Sequence, residues 1–578
     1  MNAARTPPEI LHEILHYVDF YSLPAFRSAS RQFRDTALEF LYAKVWDISR
    51  LAGHLGDECW RTSGAAEDLP VCQSSGCYDC NRCYRYNNTR CILCSAFQRS
   101  GQILVHNLPV QQGFDQLVLR LNLMTEVALH FTCKTARHRG VVHMSKLIAA
   151  LCSLPAGTVF VKARTLDIRF TTPHASLAAS VLKLFLKHPR LRKIKVRSEG
   201  VIPSNVAASL LKILEEEGHQ DIELELGLLP ELSGPFWKSW STLRSITSLV
   251  AHIDLHNAPP VVLRATYSHI SQLPCLTHLR MDLEGSVERL SSPTTPYAFP
   301  FLVSFEIRSS FPAPMLDTLT MFRCPRLSTI CLVIEHPPFL DPFHNILSAV
   351  LLSSSSLLEE LSFTCEYDIE GELDPEYEMP VMRVDDNCLA PLFQMKNLTT
   401  LTLDPELRVD AITDKFLSDV AASLPALNIF VLGKSSLYSV VPCATVSGIQ
   451  AVLESCLHLQ TFHVPFKLGG TLVLQEVLLG LKRFGSLFAA HEPDAVLFHT
   501  ELVRMRPGLE RITVGYDQNL KAVTPGQEHL ASEQDKHAYV TKYRGCSFEN
   551  IGRQVFSIVP RQFVFAYLMN FQSIPRRF

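Results

Sequence analysis

The sequence predicts an α/β fold, in which a short N-terminal helical unit is followed by an irregular solenoid of strand and helix repeats. The chain has 578 residues, which is too long for one compact core. Apolar residues recur at helical spacing over residues 8–41, and a short apolar pattern returns every 25 to 40 residues between positions 276 and 459. Hydrophobic residues make up 47% of the chain and charged residues 19%, a composition typical of globular proteins.

The charge balance limits the classes of partner that we expect. The formal net charge is −3, from 54 basic and 57 acidic side chains, so no basic surplus exists to neutralise a phosphate backbone. We therefore expect that nucleic acid is not the main partner. The most apolar long window, Val141 to Val161, is interrupted by His143, Lys146 and Pro155, so we expect no membrane span there.

The cysteine distribution and the N-terminal residues indicate a compartment. Cysteines outside residues 59–94 occur singly, mostly in apolar surroundings, where a reduced thiol behaves as a small hydrophobic group. Pro7, Pro8 and Glu9 occupy the place where a secretory signal needs an apolar stretch. We expect the protein in the cytosol or the nucleus.

Residues 1–50 are predicted to form a domain of three short helices. Ile10, Ile14 and Leu15 belong to one apolar stripe at helical spacing, Ser22 can cap a second helix, and Phe33 begins the apolar face of a third. A unit this small buries too little apolar surface to be stable alone. Its stripe is therefore expected to pack either on the rest of the chain or on another protein.

Three segments of this unit, Pro7–Leu15, Asp19–Leu23 and Ser28–Ala37, resemble the F-box motif in order and spacing. The resemblance covers under a tenth of the chain, and it departs from the motif at Pro7, where a Leu is frequent, and at Phe33, where a Trp is frequent. F-box units dock on the Skp-type linker subunit of a Skp–cullin–F-box ubiquitin ligase. The resemblance implies that the following residues form or support that interface: Pro8, Glu9, Ile10, Ile14, Leu15, Leu23 and Phe33.

Residues 51–103 are predicted to be a cysteine-rich insert or linker. Two pairs, Cys77-x-x-Cys80 and Cys91-x-x-Cys94, are separated by ten residues and could place four thiolates around a zinc ion. Cys80 could instead pair with Cys83, because these two residues have the same C-x-x-C spacing. The segment is equally open to two other interpretations, a flexible thiol-rich loop or a stretch of mispredicted gene. We expect no cofactor other than this zinc.

The remainder, residues 104–578, carries the apolar pattern L-x-x-L-x-L. Alternation within the pattern buries every second side chain, as a short strand requires. Copies begin at Leu191, Leu276, Leu302, Leu327, Leu358, Leu398, Leu427, Leu459 and Leu509. Helical candidates between them include Asn345–Leu352, Asp414–Leu424 and Gly448–Leu457.

This arrangement resembles a divergent leucine-rich-repeat solenoid with a C-terminal cap. Combined with the N-terminal motif, it resembles a fungal-type F-box adaptor with leucine-rich repeats. The usual Asn after the last Leu is absent, as Glu284 and Glu335 illustrate. An unrelated α/β domain with apolar strands remains the alternative fold.

The outward positions of the predicted strands define a face on which a target protein could bind. Their mixed charges favour a protein ligand over a polyanion. The candidate residues are His278, Arg280, Asp282, Glu306, Arg308, Thr402, Asp404, His463 and Arg511.

The sequence contains no phosphate-binding loop, nucleophile elbow or metalloprotease helix, so we expect no enzyme. The favoured function is a substrate adaptor of a ubiquitin ligase, which binds the linker subunit and an unidentified target protein. A repeat scaffold for protein–protein interaction without a ubiquitin role is the second hypothesis. A zinc-dependent protein that works through the cysteine insert is the third.

Overall fold

The computed structural model describes twenty segments of the chain. They are residues 60–63, 105–109, 111–131, 144–155, 157–186, 188, 190–198, 200–215, 221–228, 239–255, 260–285, 296–335, 343–354, 357–365, 383–404, 408–433, 443–467, 481–489, 511–516 and 546–549. The predicted N-terminal helices lie outside these residues, and so does the cysteine-rich insert except for one short strand.

The described residues form an α/β structure. Its strands are β1 Trp60–Ser63, β2 Val105–Pro109, β3 Glu126–Phe131, β4 Thr165–Phe170, β5 Lys193–Ser198, β6 Ile222–Leu228, β7 Ile246–Asp254, β8 His278–Glu284, β9 Tyr297–Ala298, β10 Ser304–Ser309, β11 Phe322–Arg323, β12 Thr329–Ile334, β13 Glu360–Cys365, β14 Arg383–Asp385, β15 Thr400–Asp404, β16 Arg408–Ala411, β17 Ile429–Leu432, β18 Thr461–Lys467, β19 Arg483–Ala489, β20 Arg511–Tyr516 and β21 Cys546–Glu549. Its helices are α1 Gln111–Leu121, α2 Met144–Cys152, α3 Ala175–Leu184, α4 Ser204–Leu214, α5 Pro260–Ser271, α6 Pro312–Met321, α7 Phe343–Ser353, α8 Asp386–Leu389, α9 Asp414–Ser423 and α10 Val446–Ser455. Short 3₁₀ turns occur at Thr172–His174, Trp240–Thr242 and Ala390–Gln394.

The chain divides into two compact units. Unit 1 comprises Met1–Met382 with Cys388–Asn397, and unit 2 comprises Arg383–Asn387 with Leu398–Phe578. Within the described residues, no helix is both long enough and apolar enough to span a membrane.

Unit 1 is built on a parallel sheet in which the strands follow chain order, from β3 through β4, β5, β6, β7, β8, β10 and β12 to β13. Parallel neighbours need a crossover connection, and helices such as α3, α4, α6 and α7 provide it. Successive helices also pack on each other, as α3 does on α4 and α6 on α7. The predicted α/β class is confirmed, and the large parallel sheet with its helices is consistent with solenoid-like repeats.

The strands form where the apolar pattern predicts them, because alternate side chains enter the core. In β8, Leu279, Met281 and Leu283 are buried, while His278 is exposed and Arg280 is half-buried. The helix at Phe343–Ser353 likewise matches the predicted helical segment Asn345–Leu352.

Four strands of the large sheet of unit 1, β3, β4, β6 and β7, occur where no copy of the pattern is found. Before β3 and β4 the first buried position is held by Met124 and Ala163 in place of Leu. Between β6 and β7 the register shifts twice, once after Ile222 and once after Leu226. An extra residue at each shift breaks the sequence spacing, and in β7 it places two half-buried residues, Thr247 and Ser248, between buried Ile246 and Leu249.

An aromatic cluster fills the core between α5, α6 and β10. The Tyr267 ring lies 5.2 Å from that of Phe322, which stacks on Phe305 at 5.4 Å. The hydroxyl groups of Tyr267 and Thr318 form a buried hydrogen bond of 3.0 Å. Burial raises the pKa of Tyr267 to about 12, so the phenol stays protonated.

Unit 2 also contains parallel strands in chain order, with helices between some of them. Strands β15, β17, β18, β19 and β20 are adjacent in that order, with β21 antiparallel to β20. Helix α9 packs on α10, and β14 pairs in parallel with β16. The predicted helices Asp414–Leu424 and Gly448–Leu457 correspond to α9 and α10.

The helices of unit 2 begin with repeated Asp–Thr bridges, in which a Thr that caps one helix also binds an Asp at the preceding helix start. Thr413 accepts a hydrogen bond from the N–H of Phe416 and donates its own N–H to Asp386 at 3.0 Å. Thr445 caps α10, and its N–H and hydroxyl each donate to Asp414 at 2.6 Å. These bonds satisfy backbone N–H groups that a helix start otherwise leaves unpaired.

Candidate functional site

The outward register positions of the sheet strands β4 to β13 carry mostly polar side chains, and we call this side of the unit 1 sheet the strand face. Because the strands pair in register, outward residues of neighbouring strands lie side by side. The strand face consists of Thr165, Asp167, Arg169, Lys193, Lys195, Arg197, Glu223, Glu225, Ser248, Val250, His252, His278, Arg280, Asp282, Ser304, Glu306, Arg308, Thr329, Cys331, Val333, Glu360, Ser362 and Thr364.

Five of these residues form a chain of ion pairs across β7, β8 and β10. His252 Nδ1 lies 3.0 Å from Asp282 Oδ2, and Arg280 Nε donates to Asp282 Oδ1 at 2.9 Å. Arg280 also approaches Glu306 at 3.6 Å, and Arg308 Nε donates to Glu306 Oε1 at 2.7 Å. Four residues predicted for the target-binding face are thus brought together, and His252 joins them.

Asp282 is the centre of this chain. Its side chain is 14% exposed, and burial alone would raise the pKa of the carboxyl group. Hydrogen bonds and positive charge from His252 and Arg280 outweigh burial and hold the pKa of Asp282 below its ordinary value. The carboxylate therefore stays ionised, and its bonds hold Arg280 in a defined orientation.

A second ion-pair cluster occupies β5 and β6. Lys195 Nζ lies 2.8 Å from Glu225 Oε2, and Arg197 Nε donates to Glu225 Oε1 at 2.8 Å. Lys193 pairs with Glu223 on the same two strands. Burial would raise the pKa of Glu225, but its bonds to Lys195 and Arg197 lower it overall. Glu225 is only 7% exposed, so its carboxylate is buried while the side chains of Lys195 and Arg197 reach the surface.

Charged side chains are sparser on the strand face from β12 onward. Thr329 and Cys331 occupy half-buried outward positions of β12, and Val333 on the same strand is buried. Exposed Glu360 and half-buried Ser362 and Thr364 occupy the outward positions of β13.

The predicted face residues of unit 2 lie on strands with little charge. Thr402 is half-buried, and His463 is 7% exposed although its register position is outward. Asp404 and Arg511 lie within β15 and β20, and their side chains are outside the described part.

Sequence reasoning missed the cluster on β5 and β6. The signal was available in the pattern that begins at Leu191, because Lys193 and Lys195 occupy outward positions that alternate with Ile194 and Val196. Glu223 and Glu225 follow the same alternation in β6. Their pairing with β5 could not be seen from the sequence, since β6 carries no copy of the apolar pattern.

The described residues contain no group of side chains that we recognise as a catalytic or metal centre. No three His, Cys, Asp or Glu side chains of that part group as metal ligands. A cavity of about 130 Å³ beside Cys152 and Lys183 is smaller than the ~300 Å³ of ordinary ligand pockets. Partial burial raises the pKa of the Cys152 thiol more than Lys183 lowers it, which leaves little reactive thiolate. The predicted zinc ligands Cys77, Cys80, Cys91 and Cys94 lie outside the described residues.

Part of the chain is similar to a known domain family. The F-box domain family model matches residues 7–40, a range that contains all seven residues predicted for the linker interface, although the structure does not describe them. No curated protein matches the chain. F-box domains generally bind Skp-type linker subunits of ubiquitin ligases, and F-box proteins are typically adaptors rather than enzymes. The match shows that residues 7–40 are similar to F-box domains.

Proposed function

We propose that this protein is a substrate-recognition adaptor of a Skp–cullin–F-box ubiquitin ligase. The F-box match at residues 7–40 carries the proposal. This chain would contact the linker subunit through Ile10, Ile14 and Leu15. Four further residues would support that contact: Pro8, Glu9, Leu23 and Phe33. A unit of this size buries too little to complete its own core, so a partner that covers the apolar stripe is physically expected.

In this proposal the repeat surface holds the target protein. Leucine-rich-repeat-like stacking gives a surface of fixed side chains, and the ion-pair chain from His252 to Arg308 is an example of such fixation. A fixed surface loses little conformational entropy on binding. Holding linker and target on one chain raises the effective concentration of target lysines near the enzyme that transfers ubiquitin. The protein would work in the cytosol or the nucleus.

The proposal is tested by capture of the full-length chain on an immobilised Skp-type linker subunit. The double variant Ile14→Asp, Leu15→Asp places two charges on the apolar stripe of the F-box. Burying an Ile or Leu side chain contributes about 1.5–3 kcal/mol, so we expect capture to weaken by at least about 100-fold. The matched control is Val261→Asp, Leu352→Asp, which makes the same change at side chains that are 75% and 62% exposed in unit 1.

Capture of the wild type and the control, with loss of the F-box variant, is the expected result. Equal capture of all three proteins would contradict the proposal, and so would failure to capture the wild type. Either outcome would leave the second hypothesis, a repeat scaffold without a ubiquitin role.

A further inference from the structure

The ion pair of Asp167 and Arg169 on β4 is less completely bonded than the ion pairs of the neighbouring strands. Its hydrogen bond joins Arg169 Nη2 to Asp167 Oδ2 at 3.4 Å. Asp167 Oδ1 and Arg169 Nε are both buried, and neither has a hydrogen-bond partner in the described part of the chain. A buried carboxylate oxygen and a buried N–H group without partners have lost their hydration and gained no bond in exchange.

Two other carboxylates of the strand face show what a complete set of bonds looks like. Glu225 accepts hydrogen bonds from side chains of β5 through both Oε1 and Oε2, each at 2.8 Å. Asp282 accepts from Arg280 through Oδ1 at 2.9 Å and through Oδ2 at 3.2 Å. The Asp167 side chain is 18% exposed and that of Asp282 is 14% exposed, so burial does not explain why Asp167 has an oxygen without a donor.

The register of the strands explains the missing donor. Asp167 lies between Ala128 on β3, whose side chain has no polar group, and Lys195 on β5. The ammonium group of Lys195 is bonded at 2.8 Å to Glu225 on β6, the strand on the opposite side of β5. The side chains of Ala128 and Lys195 therefore leave Asp167 Oδ1 without a donor.

We propose that the pair of Asp167 and Arg169 binds the side-chain carboxamide of an Asn or Gln residue in the target protein. A carboxamide carries an N–H donor and a C=O acceptor on one carbon, and these groups match Asp167 Oδ1 and the Nε–H of Arg169. A main-chain peptide group is a poorer match, because its N–H and C=O point in opposite directions across the trans bond. This inference rests on the adaptor function, since it names the chemistry of the target.

The pair can open to admit such a group. The Arg169 side chain is 43% exposed, and its 3.4 Å bond to Asp167 is longer than the usual N–H···O distance of about 2.7–3.2 Å. Outward rotation of the Arg169 side chain exposes its own Nε and makes room beside the carboxylate. Binding then breaks one weak hydrogen bond and forms two to charged groups, which are stronger than bonds between neutral groups.

An adenine base presents a similar donor and acceptor on N6 and N7. Bases bound to protein surfaces usually also stack on aromatic side chains. The described outward positions of β4 and β5 hold Thr, Asp, Arg and Lys and no aromatic residue, so a protein carboxamide is the better match.

The test measures binding to the full-length chain of a fluorescent peptide in which glutamines alternate with glycines. A peptide of equal length with serine in place of glutamine keeps the main-chain amides and lacks the carboxamides. We expect the wild type to bind the glutamine peptide about tenfold more tightly than the serine peptide, because only the carboxamide completes both bonds.

Two variants should lose this preference. Asp167→Ala removes the acceptor, and Arg169→Lys keeps the positive charge beside Asp167 but removes the Nε–H donor, which separates loss of the donor from loss of folding. The matched controls are Asp419→Ala on α9 of unit 2 and Arg244→Lys at an exposed position before β7. Both controls should keep the preference of the wild type.

Other outcomes would overturn the inference. They are equal binding of the two peptides by the wild type, absence of binding, or equal loss of the preference in the variants and the controls. An adenine-rich oligonucleotide that binds more tightly than the glutamine peptide, and no longer binds Asp167→Ala, would assign the pair to nucleic acid instead. Linker capture is measured separately, so failure of the peptide test with intact linker capture would remove only this inference. A glutamine preference without linker capture would remove the ligase role and keep the carboxamide site.

Discussion

The two units place their polar interactions in different parts of the repeat. In unit 1 the caps of α4 and α6 are Pro203 and Phe311, and neither makes a side-chain capping bond. In unit 2 the caps of α9 and α10 are Thr413 and Thr445, and both accept a backbone N–H. Unit 1 instead concentrates its polar contacts on the strand face, where charged side chains pair between strands.

The difference separates residues that stabilise the stack from residues that are available to a partner. Asp414 makes its bonds to Thr445 and Gly448 within unit 2, at the starts of helices. Glu225 and Asp282 make theirs on a surface where Arg280 and Arg197 are still about one-third exposed. Changes in the Asp–Thr bridges should therefore alter stability, whereas changes on the strand face should alter charge at small cost in stability.

The largest effect is expected for Gly448→Ala in unit 2. A Cβ at this position would lie 2.6 Å from Asp414 Oδ1 and 2.9 Å from the Asp414 Cα, so α9 and α10 would have to move apart. Overpacking typically costs about 1–3 kcal/mol, and we expect the upper end of this range because the Asp414 backbone cannot move as a flexible side chain can. The measurement is hydrogen–deuterium exchange of amides in residues 443–467. Gly200→Ala is the control, because nothing lies within 4 Å of its Cβ position, and unchanged exchange in both variants would contradict the prediction.

A smaller loss is expected for Asp414→Ala, which removes the acceptor of an Asp–Thr bridge. The N–H groups of Thr445 and Gly448 lose a charged partner, and such bonds contribute about 1.5–3 kcal/mol when partly buried. We expect a loss of about 2 kcal/mol, seen as faster exchange at the start of α10. Asp419→Ala on the same helix is the matched control. Equal effects of the two substitutions would show that the bridge contributes nothing beyond helix charge.

On the strand face, Glu225→Gln should lower the stability of unit 1 by a smaller amount, and this loss should depend on pH. It leaves Lys195 and Arg197 without a carboxylate, and because both cations reach solvent the cost should be about 1 kcal/mol. The pKa of Glu225 is lowered in the folded protein, so its contribution is present above the ordinary value of 4.5 and is lost as pH falls through the folded value.

The pH dependence provides the test. Exchange of β5 and β6 amides, corrected for the intrinsic effect of pH, should show a larger loss of stability in the wild type than in Glu225→Gln as the pH falls from 7 to well below 4.5. Asp282, whose pKa is also lowered, remains in both proteins and contributes equally. Identical acid sensitivity of the two proteins would refute the assignment of this effect to Glu225.

Much of the fold could be predicted because burial alternates along a strand. Leu279 and Met281 of β8 and Phe305 and Ile307 of β10 are buried as their pattern requires. The strands without a copy of the pattern were missed where Ala163 replaces the first Leu or where a register shift adds a residue. Gly227 lies at such a shift, and a Cβ there would meet the Arg197 Cα at 3.1 Å. Close backbone approach of this kind depends on strand pairing, which a single sequence does not reveal.

The sequence predicted which residues lie on the strand face, but it did not predict which of them form ion pairs. Alternation placed Arg280, Asp282, Glu306 and Arg308 on one face, and they lie there. Their ion pairs depend on the register between β8 and β10, and the repeat length varies too much for the sequence to determine it. His252 was missed for the same reason, since an extra residue in β7 obscures its outward position. The F-box segment was recognised by its motif, because helical periodicity alone left its partner open.

The smallest effect is expected for Glu223→Gln, which sharpens the comparison within the strand face itself. Glu223 pairs with Lys193 as Glu225 pairs with Lys195, but the Glu223 side chain is 36% exposed and that of Glu225 is 9% exposed. An exposed ion pair contributes about 0.5 kcal/mol or less and is screened by salt. Exchange of β5 and β6 amides should therefore change little at low salt. It should not change in 1 M salt, because the Debye length falls from about 10 Å at 0.1 M to about 3 Å at 1 M. A loss equal to that of Glu225→Gln would mean that burial of the carboxylate does not set the strength of these pairs.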